Sequence, residues 1–75
     1  MSAWVRFVNK TDYDTIYIHT DDLYSPLLLC SKESSEYIFS SDGTLRVKVF
    51  DKHGTLIQDA PFSIIPARLN TIVLS

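Results

Sequence analysis

A chain of 75 residues has room for one domain, and 1–75 reads as a single unit. Its 45% hydrophobic and 21% charged residues exclude a disordered segment, which would carry fewer apolar side chains and more net charge. The formal net charge of −2 excludes the strongly positive field of a nucleic-acid-binding domain and is too small to attract a cationic partner.

A domain this small buries only about 60–65% of the surface its unfolded chain exposes. A partner chain is the usual source of further burial, so self-association or a partner protein is expected. Cys30 stands alone, so no intramolecular disulfide can form. Small secreted domains generally carry several bridges, and this cysteine usage fits a reducing, cytoplasmic compartment. Met1-Ser2-Ala3-Trp4-Val5-Arg6 reaches a charge at once and does not read as a signal peptide. Leu27-Leu28-Leu29-Cys30 is the longest apolar run, against the ~20 residues a membrane-spanning helix needs.

The chain reads as short period-two runs separated by turn residues. Trp4–Asn9 puts Val5 and Phe7 on one face and Trp4, Arg6 and Val8 on the other. After the turn formers of 10–14, Thr15–Thr20 alternates Ile16 and Ile18 with Tyr17 and His19. Between Leu23 and Cys30, Pro26 removes a ladder donor, which predicts an edge strand or one that begins after the proline. Ser35–Ser40 follows, and Ser41-Asp42-Gly43-Thr44 reads as a hairpin turn. Leu45–Phe50 is the cleanest strand, with Leu45, Val47 and Val49 inward. Asp51-Lys52-His53-Gly54 predicts a second hairpin, with Gly54 suited to a bulge. One or two strands lie around Pro61, then a loop over 66–70, and Thr71–Leu74 closes the chain. The predicted fold is a small antiparallel β-sandwich of about seven strands, with an open β-barrel as the alternative. Its predicted core is Val5, Phe7, Ile16, Ile18, Ile38, Leu45, Val47, Val49, Ile57, Ile64, Ile72 and Leu74.

Three stretches together resemble a known family: Val5-Arg6-Phe7-Val8-Asn9, Ile16-Tyr17-Ile18, and Ser41-Asp42-Gly43-Thr44-Leu45-Arg46-Val47-Lys48-Val49. They are similar to a bacterial domain-of-unknown-function family of prealbumin- or immunoglobulin-like β-sandwich repeats, which open V-R-x-V-N/H, continue V-Y-V and carry P-A-G-T-Y-x-V-x-V. The closing Pro66–Leu74 segment is similar to that family's A-G-x-x-Y-T-V-V ending. The resemblance implies a β-sandwich of cell-surface proteins with no assigned chemistry, and so brings no catalytic residues. Lys10-Thr11-Asp12 stands where the family usually has Ser-Pro-Asp.

No motif points to catalysis. Cys30 follows three leucines and reads as a small buried hydrophobe rather than a nucleophile. His19 and His53 lack the spacing of a zinc site and read as solvated. A glycosidase would need a cleft between its carboxylates, for which so small a domain has little room. No cofactor is expected. Asp12, Asp14 and Asp51 would share one end of an up-and-down sandwich and are the candidates for calcium, although turn formation accounts equally well for each of them. Asn9-Lys10-Thr11 is a formal glycosylation sequon and reads as an exposed turn. Arg6, Arg46 and Lys48 would form a basic strip if their strands were neighbours, which the low net charge makes a weak sign of nucleic-acid binding.

Trp4, Tyr13, Tyr17, Tyr24 and Tyr37 fall partly on outward faces or loops, where aromatic side chains pair across strands or meet a partner. Trp4 and Val8 flank Arg6 on the non-core face of the first strand, which is the pattern of a covered face. The expected function is therefore a non-enzymatic interaction or structural module that self-associates, with Trp4, Arg6, Val8 and Tyr17 in the contact. The alternative is a calcium- or glycan-binding module using end loops.

Overall fold

The computed structural model describes residues 2–41 and 43–75. Seven strands run in chain order: β1 (Ser2–Asn9), β2 (Thr15–His19), β3 (Leu27–Cys30), β4 (Ile38–Ser41), β5 (Gly43–Asp51), β6 (Leu56–Ile64) and β7 (Leu69–Leu74). They form a three-stranded sheet ordered β4-β1-β7 and a four-stranded sheet ordered β3-β2-β5-β6. The fold is a small two-layer β-sandwich, as the alternation predicts, and not a closed barrel.

Each layer buries one side-chain parity. Val5 and Phe7 of β1, Ile16 and Ile18 of β2, Leu45, Val47 and Val49 of β5, Ile64, Ile72 and Leu74 meet between the sheets. Ala3 and Leu29 complete the buried set, and Ile38 and Ile57 pack at its rim instead of at its centre. Ile57 is displaced because the β5–β6 ladder slips there: Val49 faces Gln58 but Phe50 faces Leu56. This is a bulge, and it bends the hairpin that begins at Asp51. Asp51 Oδ1 accepts the N–H groups of His53 and Thr55, each at 2.9 Å, and Gly54 takes a φ of 81°. The second predicted hairpin is therefore present.

The first is not. β4 and β5 lie in different sheets, so Gly43, at φ 98°, turns the chain from one layer to the other; Asp42 lies outside the described residues. An Asp-Gly pair encodes a reversal of direction, whereas the partner of the incoming strand is chosen by distant side chains. β4 pairs with β1, with Phe39 opposite Trp4. β7 also pairs with β1, and in parallel. That pairing departs from the purely antiparallel expectation. It arises because the short turn at 65–68 carries the chain from β6 of one sheet into the other, where β7 lies beside the first strand. Asn70 secures this crossing: its Oδ1 accepts Ile65 N–H, and its Nδ2 donates to the Trp4, Ile65 and Arg68 carbonyls.

β3 begins after Pro26 and lies at a sheet edge, and β6 accommodates Pro61 because it too is an edge strand. Two further expectations are corrected. Asn9 is not in an exposed turn but fully buried, with its amide saturated. Cys30 is exposed, because the alternation of β3 turns Leu29 inward and its neighbour out. Among the described residues no helix is long and apolar enough to cross a membrane.

Candidate functional site

The outer face of the β4-β1-β7 sheet is built from the parity that the core does not use. Register sets Phe39, Trp4 and Leu69 side by side in one row. In the next, Arg6 stands between Tyr37 and Thr71, and beyond it Val8 stands beside Val73. Trp4 meets Phe39 edge to face, with ring centroids 5.7 Å apart. Trp4, Phe39, Leu69 and Val73 expose 48%, 59%, 65% and 47% of their surface, so apolar side chains are left open to water on both sides of the Arg6 row. Arg6 brings a cation to this face. The guanidinium lies 5.3 Å from the Tyr37 ring centre, and Nε donates to Thr71 Oγ1 at 3.2 Å. No carboxylate among the described residues pairs with it.

Of the four expected contact residues, Trp4, Arg6 and Val8 thus share this face. Tyr17 lies on the outside of the other sheet, between Leu28 and Phe50. That second face is mixed. His19 packs against Phe50 with centroids 4.7 Å apart, and Arg46 donates to both Asp59 carboxylate oxygens at 2.8 and 3.0 Å. Arg46 and Lys48 belong to this side and Arg6 to the opposite one, so the three do not form a basic strip.

The strand pattern alone does not single out Phe39, Leu69 and Val73. The signal for Val73 lay in Ile72-Val73-Leu74, where both parities are apolar, as in a strand covered on both faces. Leu69 fell in the predicted loop, and Phe39 belonged to a strand of unknown neighbour.

The chemistry elsewhere is sparse. An open depression of about 310 Å³ is lined by His19, Thr20, Asp21, Arg46 and Lys48. Within it His19 packs its ring against Phe50. Asp14 and the β5–β6 hairpin do share one end of the sandwich, where Asp14 lies 3.8 Å from Lys52. Asp51 instead spends Oδ1 on its own turn, and Asp12 lines a separate depression with Lys10, Thr11 and Lys32. Among the described residues no three His, Cys, Asp or Glu side chains converge on a point where a metal ion could sit.

The Arg46–Asp59 pair makes a checkable prediction. The hydrogen bonds from Arg46 hold the Asp59 carboxyl below the usual carboxylate range, aided by the charges of Arg46 and Lys48. A carboxyl lowered in this way stabilises the fold above the ordinary carboxylate pKa and loses that contribution as pH falls through its lowered value. The pair is solvated, so the contribution is small. In an NMR titration Asp59 should have a lower midpoint than an unpaired exposed aspartate, and Arg46→Gln should raise it. An unchanged midpoint in the variant would contradict the pairing.

The fold and face define a small β-sandwich with an exposed apolar sheet surface. The chain matches no protein-family model, no curated protein and no solved structure.

Proposed function

We propose that this protein is a non-enzymatic interaction module that associates with itself through the β4-β1-β7 sheet, whose outer face carries exposed apolar side chains. The observation that carries this reading is the row of Phe39, Trp4 and Leu69, continued by Val73, all exposed on one sheet. Covering such a face removes apolar area from water at about 25 cal/mol per Å², and aromatic anchors are the side chains that dominate contacts of this kind. Arg6 gives the face a polar centre that favours an acceptor group on whatever covers it. A free, exposed Cys30 suits a reducing cytoplasmic setting. The resemblance to β-sandwich repeats brings no chemistry. The alternative, calcium or glycan capture by the end loops, has weaker support, since Asp51 and Asp14 already engage the turn and Lys52.

Light scattering over a concentration series, with and without calcium, tests the proposal. The expected result is a dimer whose dissociation constant ignores calcium and rises about tenfold or more when Trp4→Ala and Leu69→Ala are combined. Both side chains are exposed, so the unfolding midpoint at low concentration should barely move. A monomer at every concentration, or an unchanged constant in the double variant, would overturn the reading. Association that appears only with calcium would move it to the end loops.

A further inference from the structure

Resting on that self-association, we infer that the second copy adds at the free edge of β7, antiparallel, about a two-fold axis at Thr71. Backbone direction supports this placement. Trp4 N–H donates to the Arg68 carbonyl and Lys10 N–H to the Leu74 carbonyl, so the even-numbered residues of β7 face β1. Residues alternate along a strand, which turns the N–H and C=O groups of Leu69, Thr71 and Val73 away from β1. No hydrogen bond among the described residues reaches them.

The other edges are guarded and this one is not. β3 and β4 have four residues each, and β6 carries Pro61, the bulge at Ile57 and Asp59. β7 reads Leu-Asn-Thr-Ile-Val-Leu, with no charge, proline or bulge. An uncharged, regular edge with open ladder groups is a template for another strand.

The register follows from the two-fold. Thr71 faces Thr71 of the second copy, and Leu69 faces Val73. All three positions carry outward ladder groups, so each pair exchanges both of its backbone bonds. Their side chains share the outer face, so Leu69 of each copy packs beside Val73 of the other and the β7 margin of the apolar face is covered. The axis also settles the charge. Stacking the two faces on each other about a central two-fold would set one Arg6 against the other with no carboxylate between them. Edge addition separates them by three strand spacings, about 14 Å, which exceeds the ~10 Å screening length at 0.1 M salt.

The test uses the full chain with Cys30→Ser as background. Thr71→Pro removes an N–H that the monomer leaves unused, so dimerisation should weaken at least tenfold while β-sheet circular dichroism persists. Independently, Thr71→Cys should form a disulfide-linked dimer on mild oxidation, since paired Cα atoms about 5.5 Å apart lie within disulfide range. Thr44→Cys, on the outer face of the other sheet, should not. A dimer that tolerates Thr71→Pro and does not cross-link at residue 71, yet dissociates when Trp4 and Leu69 are truncated, overturns the edge mode and leaves self-association standing. A wild-type monomer at all concentrations overturns both.

Discussion

Asn9→Ala should lower the unfolding midpoint by about 10–25 °C, which corresponds to about 2–4 kcal/mol in a domain of this size. The side chain is fully buried where β1 ends. Its Nδ2 donates to the Tyr13 and Leu29 carbonyls, both at 3.3 Å, and its Oδ1 accepts Thr11 N–H at 3.0 Å and Thr11 Oγ1–H at 2.6 Å. Its backbone adds two bonds, N–H to the Glu33 carbonyl and C=O from Lys32 N–H. One residue therefore ties the first strand to the 10–14 turn, to β3 and to the 31–34 turn. Alanine keeps the backbone bonds and leaves two carbonyls, the Thr11 N–H and the Thr11 hydroxyl without their partner, and leaving such groups unmade is the expensive part of losing a hydrogen bond. Asn9→Asp separates the hydrogen bonding from the shape. A carboxylate would face the Tyr13 and Leu29 carbonyls with no proton to donate, so it should be at least as damaging as alanine at neutral pH. Acidification, which restores a donor, should return part of the loss. Thermal unfolding of the two variants checks this, and a midpoint within 3 °C of the parent for Asn9→Ala would refute the clasp. The same burial excludes glycan attachment at the Asn9-Lys10-Thr11 sequon in the folded state, because the acceptor nitrogen is already engaged.

Phe7→Ala should cost about 3–5 kcal/mol. Against a total stability of about 4–11 kcal/mol for a chain of this length, much of the variant should be unfolded near 37 °C. Among the described residues Phe7 is the largest fully buried side chain, and it sits in β1, the strand that both β4 and β7 need as their neighbour. Its backbone is clasped as well, since its N–H donates to Ser35 Oγ and its C=O accepts Ser35 N–H, both at 2.8 Å. A cavity there would loosen the three-stranded sheet as a unit. Phe7→Leu, which keeps most of the volume, should cost under about 1.5 kcal/mol. Urea titration distinguishes the two, and equal losses would mean that the site collapses freely around the smaller side chain. Because β1 also displays Trp4, Arg6 and Val8, the outer face depends on the strand that this buried ring anchors. Interface variants are therefore best read against the stability of the sandwich.

Period-two alternation is a local property, and it carried most of the core. Ten of the predicted core residues, from Val5 to Leu74, are buried because each strand presents one parity to the opposite sheet. Edge placement was legible for the third strand, since Pro26 removes a ladder donor that a central strand would need. Strand partners were not legible, because a ladder joins residues far apart in the chain. Only the tertiary structure decides that Gly43 carries the chain between sheets, that β7 runs parallel to β1, and that Trp4 meets Phe39 and Leu69 while Tyr17 lies on the opposite side. Asn9 shows the same limit at one residue. Its turn-forming neighbours predicted exposure, and the packing of β3 and the 31–34 turn around it produced complete burial. The sequence by itself determines which side chains avoid water, whereas their assembly into a core, a clasp or an open face depends on which strands become neighbours.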